Sequence, residues 1–152
     1  GNSVQIPYIY GMNNTRHMSV RTFSLFLGML FVLVSNLSVF AQTGTYQTLK
    51  SEEFFTKLDE ERKSGTAVLL DVRTPDEYNE GNSPFAKNID FYSPDFRNTI
   101  GKLDKNATYF LYCRSGNRSG QTLGIMKSMG FREVYDLAGG WSGNAKQLEA
   151  VK

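Results

Sequence analysis

Short apolar runs alternate with amphipathic segments along most of the chain. Two of these runs, 67–71 (AVLLD) and 108–112 (TYFLY), are apolar or aromatic almost throughout. A continuous run of this kind is typical of a strand that is buried on both faces of a parallel sheet. Shorter strands are predicted at 46–49, around 88–90 and at 133–136.

Helical segments separate the predicted strands. The first predicted helix is capped by Ser51 and ends at Gly65, and the second covers 76–80, with Pro75 at its start and Gly81 at its end. A third is predicted over 95–100. A fourth is capped by Ser119 and runs to Met129, and a fifth covers the last ten residues. The segment 139–141 is predicted to be a loop. Strands that alternate with helices through short connections predict an α/β fold, here a single domain with a central parallel sheet and helices on both faces.

The front third of the chain is organised differently. It contains no Asp or Glu, and Arg16 and Arg21 precede an apolar run over 25–34 (LFLGMLFVLV). Val39 and Ala41 then stand at the two positions that a signal peptidase reads. A basic segment, an apolar segment of about 7–15 residues and small residues at a cleavage site are the three parts of a secretory signal.

We therefore predict a signal peptide over residues 18–41, cleaved after its last residue. Residues 1–17 are then an upstream extension, the product of a misassigned start or a remnant of expression, and residues 42–152 form the single domain. The protein is expected to be exported, to the periplasm, and to be free of the membrane once the leader is removed. The alternative is an uncleaved membrane anchor, because residues 23–40 reach the lower edge of the length that spans a bilayer.

Removal of the leader leaves a chain with no net charge. All 15 acidic residues follow Gln42, and so do 15 of the 17 basic ones, since Arg16 and Arg21 precede it. A basic surface for nucleic acid is therefore not expected. The only histidine, His17, also precedes the predicted domain. Its position excludes a Ser-His-Asp triad, a Cys–His pair and a histidine-based metal site in that domain.

The single cysteine, Cys113, stands where chemistry is expected in such a fold. It follows the strand predicted at 108–112, and ligands bind α/β sheets beyond the carboxyl ends of the strands. The loop that it opens (CRSGNRS) directs backbone N–H groups at the sulfur, and these favour the thiolate. The alternative is a buried structural cysteine, which the two arginines, the glycine and the serine that follow within six residues disfavour.

The rest of this loop supplies the other candidate site residues. They are Arg114, Ser115, Gly116, Asn117, Arg118 and Ser119. Gly116 permits tight curvature because glycine can adopt a positive φ. Arg114 and Arg118 bring positive charge that suits an anionic ligand.

These motifs together resemble those of the rhodanese family. The CRSGNRS segment is similar to the active loop of single-domain rhodaneses in every residue type. Residues 70–78 (LDVRTPDEY) resemble the first signature of the family, and Gly139 and Gly140 with Trp141 resemble its C-terminal signature. The resemblance runs in order from about Lys50 to the end of the chain.

The resemblance implies a sulfurtransferase that works by a ping-pong reaction. The Cys113 thiolate would attack the outer sulfur of a donor such as thiosulfate, release sulfite and keep one sulfur as a persulfide. A thiol or protein acceptor, or cyanide in an assay, would then remove that sulfur. The loop residues would bind the substrate, and no metal or organic cofactor is implied.

Three supporting residues lie outside the loop. Asp71 and Arg73 are expected to form a structural ion pair that anchors the loop, with direct substrate contact as the alternative. Trp141 is expected to form a wall of the site. Two positions depart from the family pattern, since Asn82 stands where the family has His and Asn144 where it often has Trp. Both positions are expected to be structural.

Two other functions remain open at this point. Cysteine phosphatases and arsenate reductases also place Cys at a strand end, but they have Arg six positions after it and His before it. Here Arg118 is five positions after Cys113, and Tyr112 precedes the cysteine. The second alternative is a non-catalytic module that binds a partner or senses redox state, which the intact loop disfavours.

Overall fold

The computed structural model describes the first residue and residues 43–152. The described segment belongs to one compact unit, Gln42–Lys152. The predicted leader and its cleavage site lie outside the described residues. In the part of the chain that is described, no helix combines the length and the apolar character needed to cross a membrane.

A five-stranded parallel sheet forms the centre of this unit. Its strands are β1 (Thr45–Leu49), β2 (Ala67–Asp71), β3 (Lys87–Asn88), β4 (Thr108–Tyr112) and β5 (Glu133–Leu137). The spatial order is β1-β5-β4-β2-β3, and every neighbouring pair is parallel. All five residues of β4 are buried, because this strand lies in the middle of the sheet. The predicted parallel sheet is confirmed.

Four helices connect successive strands, and a fifth follows β5. They are α1 (Ser51–Ser64), α2 (Pro75–Glu80), α3 (Phe96–Gly101), α4 (Asn117–Ser128) and α5 (Gly140–Ala150). Helix α1 ends where Gly65 takes a left-handed conformation with φ of 79°. Its predicted cap, Ser51, is instead the first helical residue, and no side chain caps this helix. Helix α2 begins at a capping box, in which Thr74 and Glu77 satisfy each other's backbone N–H groups.

Two apolar cores lie on opposite faces of the sheet. Successive residues of a strand point to opposite faces, so Phe110 and Tyr112 enter one core while Tyr109 and Leu111 enter the other. The first core includes residues of α1 and α5, such as Phe54, Leu58 and Leu148. The second includes residues of α3 and α4, such as Phe96, Ile100 and Met126. The prediction of helices on both faces is thereby confirmed.

The start of α5 lies against the end of the central strand. The Trp141 N–H donates to the Cys113 carbonyl at 2.8 Å, and the Ser142 N–H donates to the Arg114 carbonyl at 2.9 Å. Gly140 has φ of 51°. A Cβ at this position would overlap the Cys113 carbonyl oxygen and lie 2.9 Å from the Arg114 carbonyl. The prediction of a loop over 139–141 is wrong for its last two residues, because the helix already begins at Gly140.

Gly140→Ala is expected to lower the free energy of unfolding by about 2–4 kcal/mol, because alanine is strained at positive φ and its Cβ collides with the strand end. Urea unfolding measures the change. Gly143→Ala is the matched control in the same helix, since a Cβ there meets no atom within 4 Å. Equal stability of the two variants would contradict the close approach of Gly140 to Cys113.

Candidate active site

Hydrogen-bond donors surround the sulfur of Cys113. The residue directly follows β4, faces the core on the α4 side and is only 1% exposed. The Gly116 N–H donates to Sγ at 3.1 Å, and the Ser119 hydroxyl donates to Sγ at 3.4 Å. The cysteine, the loop and the first turn of α4 therefore form one compact cradle.

This cradle makes the thiol more acidic than an ordinary cysteine. Burial acts in the opposite direction, because it disfavours the charged form. Hydrogen bonds from the Ser119 hydroxyl and from the backbone N–H groups of Ser119, Gly116 and Ser115 outweigh burial and lower the pKa of Cys113. A lowered pKa increases the thiolate fraction, and the thiolate is the nucleophilic form.

The turn from strand to helix depends on Gly116. It takes a left-handed conformation with φ of 102° and is the residue before the first turn of α4. Ser119, predicted as the cap, is instead the third residue of that helix, and its hydroxyl also lies 3.3 Å from the Gly116 carbonyl. The helix thus begins three residues earlier than predicted. The side chains of Ser115 and Asn117 are exposed, and Ser115 offers its backbone N–H rather than its side chain to the sulfur.

Arg118 forms an ion pair with Glu77, on α2. Its two terminal nitrogens donate to the two carboxylate oxygens at 2.6 and 2.8 Å. This hydrogen bonding, against a smaller effect of burial, lowers the pKa of Glu77 to about 2. The guanidinium also lies 5.5 Å from the ring centre of Tyr92, the one exposed large hydrophobic side chain among the described residues. The charge of Arg118 is therefore already balanced, which differs from the expectation that it is available to an anionic ligand.

A second ion pair joins Asp71 and Arg73, and both side chains are buried. Arg73 Nη2 donates to the Asp71 carboxylate at 2.6 Å and to the Gly81 carbonyl at 2.7 Å. The guanidinium lies 4.3 Å from the ring centre of Trp141. The pair is buried among neighbouring elements of the fold, and Arg73 also lines the cleft beside the loop. The pair connects the end of β2 to the end of α2 and to the start of α5.

Trp141 forms one side of a cleft next to the loop. Its ring stacks on Tyr112 with 6.2 Å between centroids and 25° between planes. The cleft measures about 470 Å³ and is lined by Arg73, Glu77, Glu80, Arg114, Trp141 and Ser142. Arg114 is exposed, and within residues 43–152 no ion pair joins it to an acidic side chain. Its charge is therefore the one in the loop that can act on a ligand in this cleft.

At the two positions that depart from the family pattern, the side chains donate hydrogen bonds to nearby backbone carbonyls. Asn82 Nδ2 donates to the Tyr78 carbonyl at 3.0 Å. Asn144 is buried, and its Nδ2 donates to the carbonyls of Ala138 at 3.1 Å and Gly140 at 2.8 Å. It thereby closes the turn that places α5 against the loop.

The sequence did not identify Glu77 or Gly140 as individual site residues. The Thr-x-x-Glu spacing from Thr74 to Glu77 is a recognisable capping box, but its link to Arg118 spans 41 residues. Gly140 belongs to the glycine pair of the C-terminal signature, but the sequence does not show which of the two glycines must lack a side chain. The structure shows it, because a Cβ on Gly140 would collide with the residues that follow β4.

Comparison with known proteins relates this arrangement to one family. The rhodanese-like domain matches residues 55–147. The uncharacterized protein YqhL of Bacillus subtilis is 33% identical over 119 residues, which cover 76% of this chain and 88% of YqhL. The thiosulfate sulfurtransferase PspE of Escherichia coli is 34% identical over 70 residues, which cover 46% of this chain and 67% of PspE. Several other relatives are longer proteins, of which this chain spans 36% or less.

Solved structures share the fold. The crystal structure of a rhodanese-related protein from Thermoplasma volcanium has a TM-score of 0.55 and 23% identity, and the match covers 70% of this chain and 96% of that one. At this identity the likeness concerns the arrangement of strands and helices alone.

The ion pair between Glu77 and Arg118 leads to a pH-dependent prediction. Folding lowers the pKa of Glu77 from its ordinary 4.5 to about 2. Its contribution to stability is therefore fully present above about pH 5 and is lost as the pH falls toward 2. Glu77→Gln should lower the free energy of unfolding at pH 7 by about 1–2 kcal/mol, less than the full pKa shift implies because the pair is partly exposed. The difference from the unmodified protein should disappear toward pH 2.

Urea unfolding over this pH range measures the effect. Asp59→Asn is the control, because Asp59 pairs with Lys63 on the exposed side of α1 and should matter much less. A loss of stability in Glu77→Gln that does not change with pH would show that the ion pair is not its cause.

Proposed function

The chain belongs to the rhodanese-like family, and we propose on this premise that it transfers sulfane sulfur through a persulfide on Cys113. The observation that carries the proposal is the cradle of the sulfur. The Gly116 N–H and the Ser119 hydroxyl both donate to Sγ, and the pKa of the thiol is lowered. A buried structural cysteine has no need of such donors.

The chemistry follows from this geometry in two steps. The Cys113 thiolate attacks the outer sulfur of a donor, a new S–S bond forms, and the S–S bond of the donor breaks. With thiosulfate, sulfite leaves with the electron pair of that bond, and the persulfide keeps the negative charge. A thiol acceptor then attacks the outer sulfur of the persulfide, and Cys113 leaves as the thiolate. The same N–H groups stabilise the charge on sulfur at both stages.

Thiosulfate is the proposed donor for two reasons. Arg114 is exposed on the cleft beside the loop, where it attracts an anion. The relative PspE carries the name thiosulfate sulfurtransferase. The proposed acceptor is a small thiol or a cysteine of another protein. We also propose that the enzyme acts after export, because residues 18–41 have the pattern of a secretory signal.

Phosphate chemistry is disfavoured by the position of Arg118. An arginine that holds a phosphoryl group must direct its donors at the ligand, whereas both terminal nitrogens of Arg118 are bound to Glu77. A function limited to partner binding would not require hydrogen-bond donors around the sulfur of Cys113.

Treatment with thiosulfate should add one sulfur atom to the protein, detectable by mass spectrometry of the intact chain. Cys113→Ser should gain no sulfur and lose sulfur transfer to cyanide, because a hydroxyl cannot form a persulfide. Circular dichroism checks that this variant is folded. Absence of an adduct on the folded, reduced, unmodified protein with thiosulfate would exclude this donor, and transfer by Cys113→Ser would contradict the assignment of the nucleophile.

Arg114→Gln should raise the KM for thiosulfate about tenfold and change kcat little, because it removes one charge-assisted contact to the anion. Arg132→Gln is the control, since Arg132 is also exposed but precedes β5 at the opposite end of the sheet. Steady-state kinetics give both constants. Equal KM values for the two variants would show that Arg114 does not bind the donor.

A further inference from the structure

The cleft beside the loop is lined by charged side chains of both signs. They are Arg73, Arg114, Glu77 and Glu80. Arg73 and Glu77 are already balanced by ion pairs with other protein side chains. Within residues 43–152, no ion pair joins Arg114 or Glu80 to an opposite charge. The cleft therefore presents one unbalanced positive charge and one unbalanced negative charge to a ligand.

The carboxylate of Glu80 stands where its own helix does not favour it. Glu80 is the last residue of α2, and the last turn of this helix contains no basic residue. A negative charge at a helix C-terminus is unfavourable, because the carbonyl groups there carry partial negative charge. The side chain is exposed and borders the cleft together with Trp141. Neither its helix nor an ion pair among the described residues accounts for this carboxylate.

The sulfur donor does not account for it either. Thiosulfate is an anion, so Glu80 repels it while Arg114 attracts it. In a ping-pong reaction, however, the sulfite leaves before the acceptor enters. The same cleft can therefore bind two different ligands in turn, and the positive charge of Arg114 is available to both. Glu80 then favours the second ligand, provided that this ligand carries a positive charge.

A ligand that matches both unbalanced charges has an ammonium group and a carboxylate group. Charge complementarity of this kind contributes to specificity, because a ligand with only one of the groups leaves the other protein charge without a partner. The cleft volume of about 470 Å³ is in the range of small-molecule sites. A short peptide with a free cysteine has the two charges, the thiol and a suitable size.

We propose that the sulfur acceptor is a small peptide thiol with both termini free, whose ammonium group binds Glu80 and whose carboxylate binds Arg114. This inference rests on the proposed function, because it names the acceptor of the second step. In that step the acceptor sulfur bonds to the outer sulfur of the Cys113 persulfide, and the S–S bond of that persulfide breaks. Cys113 keeps the electron pair and leaves as the thiolate. The proton of the acceptor thiol passes to the new peptide persulfide.

Binding can be measured without any sulfur transfer. Trp141 is the only tryptophan of the chain and lines the cleft, so its fluorescence reports a ligand there. The probe is cysteinylglycine methylated on its sulfur, which keeps both terminal charges and cannot accept sulfur. Acetylation of its amino group removes the positive charge, and amidation of its carboxylate removes the negative charge. The unblocked probe should bind about threefold more tightly than either blocked form, the effect of one exposed ion pair.

Glu80→Gln tests which protein charge binds the ammonium group. It should weaken binding of the unblocked probe about threefold and should not weaken binding of the acetylated probe, because the acetylated probe has no ammonium group. Arg114→Gln should in the same way weaken binding of the unblocked probe and not that of the amidated one. Asp76→Asn is the matched control for Glu80→Gln, since Asp76 is an exposed carboxylate of the same helix outside the lining of the cleft.

Three results would overturn the proposal. The first is equal affinity of the unmodified protein for the unblocked and the acetylated probe. The second is an equal loss of affinity for these two probes in Glu80→Gln. The third is a lack of binding of the unblocked probe, both by fluorescence and by ligand-observed nuclear magnetic resonance.

Steady-state kinetics separate this inference from the proposed function. Glu80→Gln should raise the KM for cysteinylglycine about threefold and lower the KM for thiosulfate, because loss of the carboxylate removes an attraction for one substrate and a repulsion for the other. A rise in both KM values would mean that the substitution disturbs the cleft, and would overturn the role of Glu80. Loss of all transfer, including transfer to cyanide, would contradict the proposed function, whereas the binding titration would still decide which charges Glu80 and Arg114 bind.

Discussion

The sulfur of Cys113 is kept out of bulk water and is still able to carry a negative charge. Burial alone would make the thiolate unfavourable, so the chain must supply hydrogen-bond donors around the sulfur. The turn at Gly116 directs backbone N–H groups inward, and the Ser119 hydroxyl adds a side-chain donor. When N–H groups of a turn face inward, its carbonyl groups face outward and need donors of their own. The N–H groups at the start of α5 supply them, and this is why Gly140 approaches Cys113 so closely.

Two ion pairs hold the elements around this turn and leave one arginine for a ligand. The pair of Arg73 and Asp71 connects the ends of β2 and α2 and supports the ring of Trp141. The pair of Arg118 and Glu77 connects α4 to α2. Arginine is suited to such roles because its planar group can bind two partners and stack on an aromatic ring at the same time. The third arginine of the site, Arg114, stays exposed on the cleft.

Element types were easier to predict than element ends. The strand predicted at 108–112 agrees with β4 in both bounds, because a buried central strand is apolar along its whole length. Ser51 and Ser119 were both predicted as helix caps, and both lie inside their helices. A capping side chain is one of several ways to satisfy the first N–H groups of a helix. In α4 the Ser119 hydroxyl faces the sulfur and the Gly116 carbonyl instead, a use that local preference does not reveal.

The sequence by itself determined the fold class, the family resemblance and the position of the single cysteine at a strand end. These features depend on the periodicity of apolar residues and on contiguous motifs, which are local properties of the chain. Only the tertiary structure decided which side chains meet, since Glu77 reaches Arg118 across 41 residues and Asp136 reaches the first turn of α4 from another strand. It also decided which arginine charges are balanced by a carboxylate and which one faces the cleft without such a partner in the described part of the chain. Both outcomes depend on distances between elements, and those distances are set by the packing of the two cores on the sheet.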